Sequence, residues 1–128
     1  MVDASPTPGP DTRRVNGALD GADAAAVRAL AAAAAATDGV PPLSEQPLLW
    51  LTGGGPDVVH LLAGTGSDLV GYAQADLRDP ALATAEVVVH PAHRRHGTGS
   101  ALLAALRDAA TARGADHVDV WAHGDLPA

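Results

Sequence analysis

Apolar positions follow a helical spacing in the first part of the chain. Residues 22–36 carry apolar side chains on one face and predict a helix, and residues 44–51 predict a second, shorter helix. Each begins at a residue that can cap it: Asp20 or Asp23 for the first, and Ser44 for the second. Residues 1–17, which are rich in proline and poor in apolar side chains, predict a disordered tail.

From residue 58 the pattern becomes typical of β-strands. Val58–Ala63 and Leu69–Asp76 predict a hairpin, joined by a turn at Gly64–Asp68. Ala85–Val89 predicts a third strand, whose run of valines indicates burial on both faces. Leucines at helical spacing predict a long helix over Gly97–Arg113, followed by a fourth strand at Val118–Ala122. The order α, α, β, β, β, α, β predicts an α/β fold in which helices cover a mixed sheet.

Composition narrows the classes of function. The 128 residues suffice for one domain, and the absence of cysteine excludes a disulfide framework, a thiolate zinc site and a cysteine nucleophile. A net charge of −7 argues against nucleic acid as a partner. The N-terminus lacks the apolar stretch of a signal peptide and no apolar run is long enough to span a bilayer, so we expect a cytoplasmic protein without a membrane partner.

A basic, glycine-containing segment follows the valine strand, and we call residues 94–100 the phosphate loop. The first N–H groups of a helix have no partner within the helix and lie at the positive end of its dipole, so they bind anions. Glycine lets the backbone approach a ligand closely, and arginine and hydroxyl side chains add further donors. The sequence therefore predicts a phosphate or diphosphate site. Its candidate ligands are Arg94, Arg95, His96, Gly97, Thr98, Gly99 and Ser100.

Two other phosphate-binding patterns fit less well. A Walker A loop requires a lysine, and the chain has none. A dinucleotide fingerprint requires a small residue at the position of Leu102 and a tight turn after the strand, whereas seven residues, 90–96, separate the strand from the first glycine. An oxidoreductase that uses a nicotinamide cofactor is therefore a disfavoured alternative.

We expect neither a metal site at the histidines near the phosphate loop nor a ligand-stacking role for the two tryptophans. His90, His93 and His96 recur every third residue, but a proline interrupts the helix that would align them and no carboxylate joins them, so we expect no metal site. Trp50 and Trp121 are expected in the core, because few other large side chains are available to fill it.

The phosphate loop and its context resemble a known family. Arg94-Arg95-His96-Gly97-Thr98-Gly99 matches R-x-x-G-x-G and follows a strand that ends in Val-His-Pro. This resembles the acetyl-CoA motif of the GCN5-related N-acetyltransferase (GNAT) family, and the order of elements over residues 20–126 is similar to that fold. The resemblance implies acetyl-CoA as co-substrate, a small-molecule amine as acceptor and no metal. It further implies that the phosphate loop holds the pyrophosphate and that the backbone of Val87, Val88 and Val89 pairs with the pantetheine arm.

Further segments, at residues 37–46, 85–91 and 121–126, resemble the N-terminal half of a family member that is built from two such halves. The resemblance implies that Glu45 lies on the acceptor side and that the acceptor is the cysteinyl amine of cysteinyl-glucosamine-inositol. The family fold normally continues with a helix and two strands, so we expect residues 18–128 to form a C-terminally incomplete GNAT domain with a second half as partner. The alternative is a non-catalytic CoA-binding module that supports that half.

Acetyl transfer requires a base that takes a proton from the amine and donors that stabilise the oxyanion. The candidate bases are Glu45, Glu86 and His90, and backbone N–H groups of the third strand are candidate oxyanion donors. The simpler interpretation makes Glu45 a first-turn acid favoured by the helix dipole and Glu86 a structural strand residue. The tyrosine that often protonates the leaving thiolate in this family comes from a later helix, whereas Tyr72 lies on an early strand.

Overall fold

A mixed five-stranded sheet with helices on both faces forms the fold of this computed structural model, which describes residues 12–64, 68–94 and 97–121. The elements are β1 (Thr12–Asn16), α1 (Gly21–Asp38), α2 (Glu45–Gly53), β2 (Val58–Ala63), β3 (Gly71–Asp76), β4 (Thr84–Val89), α3 (Thr98–Ala112) and β5 (Asp119–Trp121). Short 3-10 turns lie at Pro80–Leu82 and Pro91–His93. The predicted α/β class is confirmed, and within the described residues no helix combines the length and apolar character needed to cross a bilayer.

The strands lie in the sheet in chain order. β1 to β4 pair antiparallel, and β5 pairs parallel to β4 after the crossover through α3. One apolar cluster joins Val87 and Val89 to Leu102 and Leu106 of α3. The other joins Val88 to α1 and α2 on the opposite face. The valine strand is thus buried on both faces, as predicted.

The prediction of a disordered tail is wrong for residues 12–16. These residues form β1, which pairs antiparallel with Val59–Ala63 of β2. Arg13 also pairs with Asp23 of α1, with 3.0 Å between its Nη2 and a carboxylate oxygen. Composition missed this strand because an edge strand is held largely by backbone hydrogen bonds, which do not depend on apolar side chains. Residues 1–11 lie outside the described part of the chain.

Capping residues were predicted well and tryptophan burial was not. Asp20 caps α1 by accepting the N–H of Asp23 at 2.7 Å, and Gly39 ends it in the left-handed region at φ 79°. Trp121 is 60% exposed, because β5 lies at the edge of the described sheet and all three of its residues are exposed. Trp50 is half-buried beneath the guanidinium of Arg78, which lies 4.7 Å from the ring centroid.

The first turn of α3 packs directly onto the start of β3. A Cβ atom at Gly71 would lie 2.7 Å from Cγ2 of Thr98 and 2.8 Å from Cδ1 of Leu102. Glycine is required here because any side chain would push the helix from the sheet. This contact fixes the position of the helix end that carries the phosphate loop.

Candidate functional site

Among the described residues, no side chain caps the N-terminus of α3, so no such cap binds the first backbone N–H groups of the helix. Gly97 is the N-cap at φ 83° and makes no side-chain cap, while its carbonyl accepts the N–H of Ala101 at 2.9 Å. The N–H groups of Thr98, Gly99 and Ser100 precede the first donor of the helical ladder and lie at the positive end of the dipole. A Cβ at Gly97 would meet nothing within 4 Å. This helix end can therefore accept an anion against its backbone.

The side chains of the phosphate loop have different surroundings. Thr98 is 2% exposed, and its methyl group packs over Gly71. The predicted ligands Arg95 and His96 lie outside the described residues. Arg94 donates from Nη1 and Nη2 to the two carboxylate oxygens of Asp38, both at 2.7 Å. The remaining described ligands of the prediction are Ser100, which is exposed in the first turn of α3, and the backbone of residues 97–100.

The arginine–aspartate pair is buried and bridges three elements. The side chains of Arg94 and Asp38 are 12% and 7% exposed. Nε of Arg94 also donates to the carbonyl of Val89 at 3.2 Å, at the end of β4. The hydrogen bonds from Arg94 lower the pKa of Asp38, and burial opposes this shift in part.

The described residues of β5, Asp119–Trp121, pair with Thr84, Ala85 and Glu86 at the start of β4. We call the rest of this side of β4, at Val87–Val89, the open edge of β4, because no strand among the described residues is paired to it. His90 donates its N–H to Val70 on the β3 side at 2.8 Å, so the preceding N–H, that of Val89, faces the β5 side. Within the described residues, the β5-facing edge of Val87–Val89 therefore has no strand paired to it. An extended ligand could add to this edge by backbone hydrogen bonding.

A cavity of about 290 Å³ lies between α2 and the other end of β4, and we call it the α2–β4 cavity. The polar and aromatic side chains around it include Gln46, Trp50, Gln74, Asp76, Glu86 and Trp121. Glu45, predicted on the acceptor side, lies exposed at the first turn of α2 and is outside this lining.

Glu86 is bound to the start of α2. Its carboxylate accepts the N–H of Ser44 at 2.7 Å and the hydroxyl of Ser44 at 2.6 Å. Ser44 is the N-cap of α2, as predicted, but its hydroxyl donates to Glu86 and makes no bond within the helix end. The second carboxylate of the cavity, Asp76, pairs with Arg78 at 2.9 Å, which lowers its pKa against the effect of burial. The cavity is thus lined by two carboxylates and by the guanidinium of Arg78, which offsets the charge of Asp76, and its polar side chains suit a polyhydroxylated or amine-bearing ligand.

A buried polar chain runs behind the α2–β4 cavity, and sequence reasoning missed it. Nε2 of Gln74 donates to the carbonyl of Pro47 at 2.8 Å and to the hydroxyl oxygen of Tyr72 at 2.9 Å. The Tyr72 hydroxyl therefore donates its own proton to Nδ1 of His60, at 2.6 Å. Burial lowers the pKa of His60 and raises that of Tyr72. Tyr72 has no solvent exposure, so it cannot reach a substrate.

The predicted hairpin already contained the information needed to expect these buried polar contacts. β2 and β3 pair His60 with Gln74 and Leu62 with Tyr72, so the three polar side chains share one face of the sheet. The register of the hairpin, together with the alternation of faces, would have brought them together. The loop that sets the register includes residues 65–67, which lie outside the described part of the chain.

His90, the third candidate base, stabilises the turn that follows β4. Its Nδ1 accepts the N–H of Ala92 at 3.0 Å, and its ring stands edge-on to His93 with 5.4 Å between centroids. This hydrogen bond occupies the Nδ1 lone pair and leaves the proton of the neutral ring on Nε2. Among residues 12–64, 68–94 and 97–121, no group of three or more histidine or acidic side chains is arranged to hold a metal ion.

Comparison with known proteins identifies the family. The model of the acetyltransferase (GNAT) family matches residues 26–128. The chain belongs to the GNAT family. The helix end at Gly97 and the open edge of β4 lie in the segment that this match covers.

Relatives named mycothiol acetyltransferase are similar to this GNAT chain. The chain is 53% identical over 120 residues to the one from Cellulomonas flavigena, covering 89% of this chain and 34% of that protein. It is 51% identical over 110 residues to the one from Sanguibacter keddieii, covering 86% of this chain and 35% of that protein. The chain thus spans about a third of the length of the curated relatives it matches.

A solved structure supports the GNAT fold. The ribosomal-protein-S18-alanine N-acetyltransferase from Escherichia coli superposes with a TM-score of 0.65 at 22% identity. The alignment covers 86% of this chain and 66% of that one. At this identity the similarity concerns the fold alone.

Proposed function

We propose that this chain is the acetyl-CoA-binding GNAT domain of an N-acetyltransferase that acts on a small amine. The observation that carries the proposal is the glycine-capped end of α3 beside the open edge of β4. The relatives named mycothiol acetyltransferase favour, as acceptor, the cysteinyl amine of cysteinyl-glucosamine-inositol. A second GNAT half, which the longer relatives have room for, is the proposed partner.

The two parts of the site fit the two parts of acetyl-CoA. The N–H groups of residues 98–100 suit the pyrophosphate, and the open space above Gly97 leaves room for it. The β5-facing backbone of Val87 and Val89 suits the amides of the pantetheine arm. Arg95 and His96 remain predicted ligands. When bound, acetyl-CoA would supply the acetyl group: the amine would form the amide bond, the C–S bond of the thioester would break, and CoA would leave as the thiol.

The α2–β4 cavity is the proposed acceptor site. The carboxylate of Glu86 would attract the ammonium form of the amine, whereas the charge of Asp76 is offset by Arg78. Glu86 is the favoured base because it lines the cavity and directly precedes Val87 on β4, so it can take the proton either directly or through a water molecule. Glu45 lies outside the cavity lining, and Nδ1 of His90 already accepts a hydrogen bond.

One observation favours the alternative, a CoA-binding domain that supports catalysis elsewhere. The carboxylate of Glu86 accepts two hydrogen bonds from Ser44, which is a structural use of the same group. If Glu86 only holds α2, this domain binds acetyl-CoA without transferring the acetyl group.

Ligand-dependent hydrogen exchange tests the proposal. Saturating acetyl-CoA should slow exchange of the amides at residues 97–100, and inorganic phosphate at the same concentration should not match that effect. Gly97→Ala should weaken acetyl-CoA binding, because it adds a side chain at φ 83° over the proposed pyrophosphate site.

Gly114→Ala is the matched control. Gly114 has φ 84° and also meets nothing within 4 Å, so the backbone strain of about 1–2 kcal/mol is the same, but it lies beyond the opposite end of α3. Equal loss of acetyl-CoA affinity in both variants, or unchanged exchange at residues 97–100 in the folded wild-type protein, would refute the proposed site.

A further inference from the structure

The buried pair between Arg94 and Asp38 joins two segments that are 56 residues apart. Nη1 of Arg94 donates to Oδ1 of Asp38 and Nη2 donates to Oδ2, both at 2.7 Å, and the two side chains are 12% and 7% exposed. Bidentate pairs of this kind fix orientation as well as charge. Arg94 is therefore held in one geometry, away from solvent.

Asp38 occupies a position that disfavours a carboxylate unless a cation is present. It is the last residue of α1, where the helix dipole is negative, and it is buried. Both effects are unfavourable for an isolated anion, so the local sequence of α1 does not account for it. The guanidinium of Arg94 offsets both effects at once.

The pair also sets where the phosphate loop begins. Arg94 is bonded to the carbonyl of Val89 through Nε and lies three residues before Gly97. The end of α1, the end of β4 and the start of the loop are thus tied together through one guanidinium. Because Arg94 lies only three residues before Gly97 in the sequence, a displacement of Arg94 would displace the N-cap of α3 as well.

We propose that Asp38 is a positioning residue for acetyl-CoA binding, which acts by holding Arg94 as the fixed base of the phosphate loop. Arg94 then serves as a structural anchor, and the contacts with the pyrophosphate come from the backbone of residues 98–100. This inference rests on the proposed function. It differs from a role for Arg94 as a direct ligand of the phosphates.

The two roles predict opposite signs for one substitution. If Arg94 binds the phosphates, Asp38→Asn removes a competing anion, frees the guanidinium and strengthens acetyl-CoA binding. If Asp38 positions the loop, the same substitution weakens binding, although it makes the protein less negative. Arg94→Gln weakens binding under either role, so Asp38→Asn is the informative variant.

The experiment measures acetyl-CoA affinity by calorimetry for the two single variants and for the double variant. We expect each single variant to bind between about 10-fold and 100-fold more weakly, and the double variant to be no weaker than either. Asp23→Asn, which breaks the Arg13–Asp23 pair and changes the net charge equally, is the matched control and should leave the affinity unchanged. Unchanged or tighter binding by Asp38→Asn would overturn the inference.

Arg94→Gln could weaken binding because the protein folds poorly without this charge, so a variant that keeps the charge is also needed. Arg94→Lys keeps the charge but cannot form the bidentate pair. Acetyl-CoA affinity should fall in this variant as it does in Arg94→Gln. Wild-type affinity in Arg94→Lys would show that charge alone matters and would overturn the inference.

Hydrogen exchange without ligand separates this inference from the proposed function. Asp38→Asn should speed exchange of the amide of Ala101, which donates to the carbonyl of Gly97, before any ligand is added, while Asp23→Asn should not. Failure of the wild-type protein to bind acetyl-CoA would refute the proposed function, and unchanged exchange at Ala101 in Asp38→Asn would refute the positioning role.

Discussion

Replacing Gly71 with alanine should separate α3 from the sheet. The new Cβ would lie 2.7 Å from Cγ2 of Thr98 and 2.8 Å from Cδ1 of Leu102, about 1 Å closer than carbon atoms pack at their optimum. Overpacking of this kind costs about 1–3 kcal/mol. Alanine also reduces the conformational entropy of the unfolded chain, which stabilises the folded protein by about 0.4–1 kcal/mol. We therefore expect a net loss of about 1–2 kcal/mol.

Urea denaturation and thermal unfolding measure this loss. A decrease of 1–2 kcal/mol corresponds to a fall in Tm of roughly 4–8 °C in a chain of this size. Acetyl-CoA affinity should fall in Gly71→Ala as well, because the displaced Thr98 is the first residue of α3, where the proposed pyrophosphate site lies. Gly21→Ala is the control: it opens α1, its Cβ would meet nothing within 4 Å, and stability should stay equal or rise.

A double-mutant cycle tests whether the contact itself is the cause. Thr98→Ser removes the methyl group that the new Cβ would meet, so it should cost less free energy of unfolding in the Gly71→Ala background than in the wild type. Additivity of the two substitutions within about 0.3 kcal/mol would refute the steric reasoning. So would a Gly71→Ala protein as stable as the wild type.

The remaining predictions concern acid–base groups. Glu86→Gln should lower kcat/KM for acetyl transfer by about 100-fold or more if Glu86 is the base, whereas Glu45→Gln should change it little; equal effects would contradict the assignment. Burial lowers the pKa of His60 in the folded state, so stability should decrease by up to about 1.4 kcal/mol per pH unit as pH falls below about 6.5; denaturation curves of His60→Gln should lack this slope. Arg94 lowers the pKa of Asp38 in the folded state, so the ionised Asp38 stabilises the protein fully above the unfolded pKa of about 3.9. This stabilisation is lost as pH falls through the lower folded pKa. In acid unfolding, the stability of Asp38→Asn should therefore depend less steeply on pH over this range.

The elements with strong local signals were predictable from the sequence. The valine pattern of β4 and the leucines of α3 predicted the type of each element, and Asp20 predicted the start of α1. These features depend on periodicity and capping, which act over a few residues. The N-terminus of α3 at Gly97 was located for the same reason, and its role as an anion site stays a prediction.

The contacts that shape the site are of longer range and could not be predicted. Ser44 and Glu86 are 42 residues apart, and Asp38 and Arg94 are 56 apart. No local rule assigns Arg94 to a buried carboxylate when a basic loop beside a helix end suggests an exposed ligand. The exposure of Trp121 likewise depends on its place at the edge of the described sheet.

The strand at residues 12–16 has a consequence for any shortened version of this protein. A polypeptide that starts at residue 18 would keep α1 and α2 complete, yet it would uncover five backbone positions along β2, whose side chains are all buried. A straight, apolar strand with unpaired backbone groups recruits strands from other molecules. Shortening the chain at the boundary that composition suggests would therefore favour self-association through β2, while a start at Thr12 would keep β2 paired with β1.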